Sequence, residues 1–229
     1  MDEEQFKKSI AETLMKNTAS TIFNYLREME NNRNVYSHRW IWELLQNARD
    51  ACPDERGVDV NLIVDKNTLV FQHNGRPFQI DEIVNLICHG STKGPEDIGR
   101  FGTGFLTTHL LSRKVVVKAM LATKELVKFT INREASSPDE IKILIDQSLK
   151  ECRLSAKPIE GKIDVTTEYL YEIQDGLAEE ITSGITELKN IIPYILALNN
   201  EFHTISVKTE REQSVFSLSE EKQSDGYVT

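Results

Sequence analysis

The sequence has few cysteines, no long apolar run and no recognisable targeting segment. Its three cysteines, Cys52, Cys88 and Cys152, lie far apart and show neither CxxC nor Cys/His spacing. This excludes a disulfide framework and a zinc site and favours thiols in a reducing compartment. No apolar stretch approaches the length of a membrane span, and the polar start MDEEQFKKSI does not resemble a signal peptide. We therefore expect a cytoplasmic protein that does not act at a membrane.

Positive charge is also scarce. Lys and Arg number 27 against 36 Asp and Glu, so the formal net charge is −9, which disfavours binding to nucleic acid through a broad basic surface. The five histidines are scattered, which argues against a metal cluster built on them. A chain of 229 residues with 39% hydrophobic and 28% charged residues is typical of a soluble protein with one large domain or two small ones.

Hydrophobic periodicity predicts alternating groups of helices and strands. The predicted helices cover residues 5–30, 38–52, 79–88, 105–112 and 177–200, the last kinked or split at Pro193. Strands are predicted at 58–64, 68–72, 114–134 (two strands), 166–173 and 203–208, whereas 141–146 is compatible with a strand or a helix. A polar tail of about 20 residues follows. This order predicts an α+β layer sandwich.

The predicted helix at 38–52 carries an unusual polar arc. At 100° per residue, Asn47 lies about 40° and Asp50 about −20° from Glu43, while the apolar residues occupy the other side. The arc is either the solvated face of an amphipathic helix or part of a chemical site. In such a site the Glu43 carboxylate would act as a base and the Asn47 amide oxygen would bind a divalent metal. Short Asn and Asp side chains are poor helix formers, so they are unusual on a merely solvated face.

A glycine-rich loop, HGSTKGPEDIGRFGTG, covers residues 89–104. Gly99, Gly102 and Gly104 precede a predicted helix, where glycines let backbone N–H groups approach phosphate oxygens. The loop is not a Walker A motif, and it does not follow a strand as a dinucleotide-binding fingerprint would. Upstream, Lys93 lies in GSTKG, a segment that could close over a nucleotide. A flexible surface loop with a solvated lysine is the alternative interpretation.

The order and spacing of these motifs resemble the GHKL (Bergerat-fold) ATPases. The motifs are ELLQNARDA on a helix, FQHNGRPF after a strand, a lid, and then IGRFGTGF. The group includes gyrase-type topoisomerases, ninety-kilodalton heat-shock chaperones, mismatch-repair ATPases and sensor histidine kinases. The residues of these motifs are most similar to those of the sacsin and heat-shock chaperone branch. The resemblance covers residues 5–208. It implies a two-layer α/β sandwich with a mixed, mostly antiparallel sheet and helices on one face.

The resemblance implies a role for each matching residue. Glu43 matches the general base that activates water for attack on the γ-phosphate of ATP, and Asn47 matches the ligand of Mg²⁺. Asp50, Ala48 and Ala51 match the floor of the nucleotide pocket. The remaining matches surround or support the nucleotide: Gly75 and Phe78 in the second motif, Ser91, Thr92 and Lys93 in the lid, Gly99, Arg100, Phe101, Gly102, Thr103 and Gly104 in the phosphate loop, Phe105 behind that loop, and Thr167, which supports adenine through water.

The second motif departs from the family pattern. Where members carry an Asp that accepts a hydrogen bond from the adenine amino group, this chain has His73, followed by Asn74, and Pro77 replaces a common glycine. A neutral imidazole or the Asn74 carbonyl could still accept that bond, whereas imidazolium could not. If His73 is the acceptor, nucleotide binding should weaken below about pH 6.5.

The implied function is Mg²⁺-dependent ATP binding and slow hydrolysis in a nucleotide-gated switch, chaperone-like or serving defence or stress. Residues 1–208 would form the ATP-binding domain and 209–229 a polar tail or linker. In the family, ATP closes the lid and favours dimerisation, so the implied partners are ATP or ADP, a second copy through helix 5–30, and an effector or client of unknown identity.

Three alternatives remain. A nucleotide sensor that binds without turnover is motivated by His73. A histidine kinase is disfavoured because Glu43 suits a hydrolase and no helix with a phospho-accepting histidine precedes it. DNA strand passage or repair is disfavoured by the acidic charge, so no direct contact with nucleic acid is expected.

Overall fold

The computed structural model describes residues 2–53, 57–88 and 104–218. The helices in these ranges are α1 (Glu3–Asn31), α2 (Arg33–Tyr36), α3 (Arg39–Asp50), α4 (Ile80–Cys88), α5 (Pro138–Ser155) and α6 (Ala178–Leu198), with a 3-10 helix at Gly104–Leu110. The strands are β1 (Val58–Val64), β2 (Thr68–His73), β3 (Lys114–Met120), β4 (Glu125–Asn132), β5 (Lys157–Pro158), β6 (Thr167–Glu172), β7 (Phe202–Lys208) and β8 (Gln213–Ser217).

The strands form a single mixed sheet in the order β5-β4-β3-β6-β2-β1-β7-β8. Neighbouring strands are antiparallel except β1 and β7, which run parallel. A parallel pair needs a long crossover, and here the connection between β1 and β7 includes most of the sheet and helices α4, α5 and α6. The predicted α+β class with a mixed, mostly antiparallel sheet is confirmed.

One face of the sheet forms the core. Leu62, Phe71, Tyr169, Val117 and Phe129 are direct neighbours across five strands, and each is at most 1% exposed. Helices α3, α5 and α6 pack on β1, β4 and β7 respectively. Because side chains alternate along a strand, every second residue of the central strands turns toward this helical layer.

The opposite face of the sheet carries charged and polar residues. Gln72 Nε2 donates to the Glu168 carboxylate at 2.7 Å, and Lys118 Nζ donates to its other oxygen at 2.5 Å. These three residues are adjacent on β2, β6 and β3. The next row on this face is apolar, with Val70, Leu170 and Val116 as half-buried neighbours. One face of the sheet is thus buried and the other is mixed and partly exposed, as expected for a two-layer sandwich.

Helix α1 divides into two halves. Its C-terminal half buries Ala19, Ile22, Leu26 and Met29, which recur at helical spacing and face the body of the domain. Every residue from 2 to 14 is exposed. The first half of α1 therefore makes no contribution to the core.

The region around 141–146 is helical rather than extended. Helix α5 begins after Ser137, whose hydroxyl accepts the Glu140 N–H, and the Glu140 carboxylate in turn accepts the Ser136 N–H at 2.7 Å. Pro138 occupies the first turn, where its missing N–H costs nothing. This reciprocal arrangement is close to a capping box, and it fixes the start of the helix.

Three further expectations need correction. Pro193 does not split α6, which is continuous from Ala178 to Leu198, because Leu188 and Leu196 on either side of it are buried against the sheet. Residues after the glycine loop form a 3-10 helix rather than an α-helix. The polar tail predicted from residue 209 contains β8, which pairs antiparallel with β7.

None of the helices in the described ranges combines the length and the apolar character that crossing a membrane requires.

Candidate functional site

Helix α3 presents two different faces. Its apolar residues are buried in the core: Trp40, Ile41, Leu44, Leu45 and Ala48. Glu43 and Asn47 lie half-buried on the other side, one helical turn apart, and Asp50 is exposed. The predicted polar arc is therefore neither core nor a fully solvated surface, because two of its three members are partly covered.

Gly104 covers Glu43. A Cβ atom built on Gly104 would overlap the Glu43 carboxylate, so the backbone at this position lies directly against that side chain. The Gly104 carbonyl accepts a hydrogen bond from Thr107 Oγ1 at 2.8 Å, which holds the first turn of the 3-10 helix. That helix packs on α3. Only glycine permits this approach, since any side chain would displace the carboxylate.

Phe105 anchors the same turn in the core. Its side chain is 9% exposed, and its ring centroid lies 5.2 Å from that of Tyr169 on β6 and 6.1 Å from that of His109. Phe105 is thus part of the core, while residues 99–103 of the loop behind which it was predicted to pack lie outside the described residues. Because Phe105 follows Gly104 directly, its burial fixes the backbone that contacts Glu43.

Gly75 makes a second close approach at the other end of α3. A Cβ atom on Gly75 would lie 2.7 Å from the Ala51 carbonyl oxygen, which also accepts the Arg76 N–H at 2.7 Å. From the opposite side, Thr166 Oγ1 donates to the Gly75 carbonyl at 2.7 Å. The second motif is thus held between the end of α3 and the start of β6.

The two glycine contacts lie at different heights along α3. Glu43 and Ala51, the residue that follows α3, are eight residues apart, which corresponds to about 12 Å along the helix axis. Gly104 lies against Glu43, and Gly75 lies against Ala51. We refer to the polar side of α3 between these two contacts as the cleft.

His73 lies at the Ala51 end and is 1% exposed. It is the last residue of β2, between Val60 on β1 and Thr167 on β6. The Gly75 N–H donates to His73 Nδ1 at 3.2 Å, and burial lowers the pKa of His73 to about 4. The imidazole is therefore neutral at physiological pH, and its hydrogen resides on Nε2 because Nδ1 is an acceptor.

Two observations bear on the predicted base contact. Burial lowers the pKa of His73 to about 4, below the value near 6.5 on which the predicted pH dependence was based. Its acceptor nitrogen is already occupied by Gly75. The Asn74 side chain is paired with Asp59: its carbonyl accepts the Asp59 N–H at 2.7 Å, and its Nδ2 donates to the Asp59 carboxylate at 2.7 Å.

Thr167 is buried beside His73. It is 0% exposed, and its Oγ1 has no hydrogen-bond partner among the described residues. A buried hydroxyl without a partner costs about 1–3 kcal/mol. Thr167 and His73 face each other across β6 and β2, so an unpaired hydroxyl and an imidazole lie together at this end of the cleft.

Asp50 and Phe78 lie farther from this pair. Asp50 forms an ion pair with Arg49, with 3.3 Å between Asp50 Oδ1 and Arg49 Nη2. Phe78 is half-buried; its N–H donates to the carbonyl of Met120, the last residue of β3, and its carbonyl accepts the Ala122 N–H. Phe78 therefore links the second motif to the turn after β3.

Eight other predicted site residues fall outside the described residues: Ser91, Thr92, Lys93, Gly99, Arg100, Phe101, Gly102 and Thr103.

Two polar residues with fixed structural roles, Thr166 at the second motif and Arg133 at the end of α4, were not predicted. Thr166 fastens the second motif, since its Oγ1 also lies 3.2 Å from the His73 carbonyl; its position beside Thr167 was the only signal. Arg133 is 2% exposed, and its Nη2 donates to the Ile87 carbonyl at 2.5 Å in the last turn of α4. Burial lowers the pKa of Arg133 to about 10, so it remains charged and interacts favourably with the negative end of that helix.

The cleft offers few ligands for a metal. Within the described ranges, no three His, Cys, Asp or Glu side chains are grouped so that they could hold an ion. Mg²⁺ commonly uses one or two protein oxygens together with water and substrate phosphates. The oxygen-bearing side chains of Glu43 and Asn47, one turn apart on the half-buried face of α3, fit a metal that is held largely by a nucleotide.

No protein-family model matches the sequence, and no curated protein matches it.

Proposed function

We propose that this chain binds ATP with Mg²⁺, hydrolyses it slowly and acts as a nucleotide-gated switch of the GHKL type. The observation that carries the proposal is the pair of glycine contacts on α3. Gly104 lies against the Glu43 carboxylate, and Gly75 lies against Ala51 at the far end of the same helix wall. Gly104 brings backbone against the polar face of α3 and Gly75 brings backbone against its C-terminal end, an arrangement that would suit an extended, phosphate-bearing ligand along this face.

In the proposed reaction Glu43 accepts a proton from the water that attacks the γ-phosphate. The Asn47 amide oxygen would hold Mg²⁺, which supplies charge neutralisation at the phosphates. The chain contributes positioning and a general base, without a covalent nucleophile, which favours slow turnover. Half-burial of Glu43 beneath Gly104 keeps the carboxylate oriented within the cleft.

Substitution of Glu43 tests the catalytic part of the proposal. Glu43→Gln keeps the shape of the side chain but cannot take a proton, so phosphate release should fall by about 10²-fold or more while ATP affinity changes little. Asn47→Ala should weaken ATP binding only when Mg²⁺ is present. Glu160→Gln, at an exposed position, serves as the matched control. Phosphate release unaffected by Glu43→Gln would exclude Glu43 as the base.

A nucleotide sensor without turnover is the second candidate. It is favoured by the fixed roles of His73 Nδ1 and Asn74, which accept hydrogen bonds from the protein itself and so differ from the family pattern. A wild-type protein that binds ATP but releases phosphate only at the background rate would support this candidate over the ATPase.

The first half of α1 supports a switch that engages a partner. Phe6, Ile10 and Leu14 are 53%, 44% and 60% exposed and recur every four residues, so they form one apolar ridge. We propose that this ridge contributes to an ATP-dependent homodimer or to docking of an effector or client. A reducing, cytoplasmic setting is part of the proposal, because the structure joins none of the three cysteines in a disulfide.

A further inference from the structure

We infer that His73 recognises the base as a hydrogen-bond donor, through Nε2–H, and that the ligand atom it contacts is an acceptor on the purine edge rather than an amino group. The inference rests on the proposed function, which assigns the phosphates to the Glu43 end of α3 and therefore the base to the Ala51 end. His73 is then the residue that determines which edge of the base forms hydrogen bonds with the protein.

The direction of the hydrogen bond follows from Gly75. A backbone N–H can only donate, so the 3.2 Å contact between Gly75 N and His73 Nδ1 makes Nδ1 the acceptor. A neutral imidazole has one donor and one acceptor nitrogen. The hydrogen is consequently on Nε2, and no described residue accepts a bond from it. Gly75 cannot move away easily, because Thr166 and the end of α3 hold it from two sides.

Thr167 provides an independent indication that a ligand edge belongs here. Its Oγ1 is completely buried and has no partner among the described residues, and it faces His73 across paired strands. A hydroxyl can donate or accept, whereas Nε2–H can only donate. His73 and Thr167 together can therefore bind a purine edge on which an acceptor atom accepts the His73 Nε2–H and the neighbouring group forms a hydrogen bond with Thr167 Oγ1.

Two acceptors satisfy this requirement. In adenine it is the ring nitrogen N1, with the amino group directed to Thr167. In a 6-oxopurine it is the carbonyl oxygen O6. An amino group placed against His73 would bring its own N–H donor against the Nε2–H donor. Neither hydrogen would then have an acceptor, which costs affinity.

Nucleotide analogues distinguish the atoms that are read. Dissociation constants of the wild-type chain with Mg²⁺ would be measured for ATP, 1-deaza-ATP (no N1), purine riboside triphosphate (no amino group) and inosine triphosphate. We expect loss of N1 to weaken binding about tenfold and loss of the amino group to weaken it less than about threefold. Tighter binding of inosine triphosphate than of ATP would instead identify O6 as the acceptor and also support the donor role.

The inference is overturned if removal of the amino group costs at least as much as removal of N1 and inosine triphosphate binds more weakly than ATP. In that case nucleotide binding, and with it the proposed function, would still stand. Failure of every triphosphate to bind would overturn both.

Substitution of His73 tests the residue itself. In His73→Asp the side chain becomes an acceptor, so purine riboside triphosphate should now bind about tenfold more weakly than ATP. In His73→Leu, a neutral variant without a hydrogen-bond donor for the case that a buried Asp prevents folding, the difference between ATP and 1-deaza-ATP should shrink. His38→Asp and His38→Leu, just before the start of α3, are the matched controls and should leave the analogue series unchanged. An analogue series that is the same in His73→Leu and wild type would contradict the assignment.

Discussion

The backbone of Gly104 lies so close to the carboxylate of Glu43 that no side chain fits between them. These residues are 61 positions apart in sequence, and the turn that begins at Gly104 is anchored by Phe105 in the core. The contact ties the start of the 3-10 helix to the proposed catalytic base. A substitution at Gly104 should therefore first displace the Glu43 carboxylate.

Gly104→Ala should abolish phosphate release while leaving the fold intact. The new methyl group would force the Glu43 carboxylate out of its position, and misplacement by about 1 Å is enough to cost 10²-fold in rate. Phosphate release and thermal unfolding of the variant would be measured together. Wild-type activity in the folded variant would show that the position of Glu43 against Gly104 is not needed.

Gly184→Ala is the matched control and a prediction of its own. Gly184 lies inside α6, and a Cβ atom there would make only ordinary contacts, 3.6 Å from Trp40 and 3.8 Å from His38. Alanine in place of a helical glycine should raise the free energy of unfolding by about 0.5–1 kcal/mol. Urea denaturation at pH 7 measures this. A loss of stability would mean that the space between α6 and Trp40 is tighter than the structure shows.

Helix α3 and the central strands were predictable because hydrophobic periodicity reports which residues face a core. The same periodicity made Glu43, Asn47 and Asp50 noticeable, because they group short polar side chains on one side of an otherwise apolar helix. The half-burial of Glu43 and Asn47 was not predictable, since it depends on Gly104 and the 3-10 helix that approach from elsewhere in the chain.

Other features left little signal in the sequence. Strand β8 is held by backbone pairing to β7. Its two apolar residues, Val215 and Phe216, are adjacent, so its sequence lacks the alternation that predicts a strand. The tautomer of His73 depends on one hydrogen bond from Gly75 and on burial. The pairing of Asn74 with Asp59 joins residues on either side of a hairpin. Such contacts arise from tertiary structure and not from local pattern.

Removal of residues 1–14 should leave the stability of the domain nearly unchanged. Residues 2–14 are all exposed, so the free energy of unfolding should change by less than about 0.5 kcal/mol. The same deletion should eliminate any ATP-dependent dimer seen by sedimentation velocity, because it removes the ridge of Phe6, Ile10 and Leu14. Ile10→Lys in the full chain is the milder test. A dimer that persists in both variants would exclude the ridge as the interface.

Stability should depend on pH through His73. Its pKa is about 4 in the folded state and about 6.5 in an unfolded chain. Below pH 6.5 the unfolded chain gains a proton that the folded protein cannot accept, so the stabilisation is present above pH 6.5 and is lost progressively as the pH falls toward 4. Between pH 7 and pH 5 the free energy of unfolding should decrease by about 2 kcal/mol from this residue alone. Urea denaturation at both values for wild type, His73→Asn and a control at a half-buried histidine, His38→Asn, measures the effect. The decrease should be smaller by about 2 kcal/mol in His73→Asn only; an equal decrease in all three proteins would mean that His73 is protonated as readily in the folded domain as in the unfolded chain.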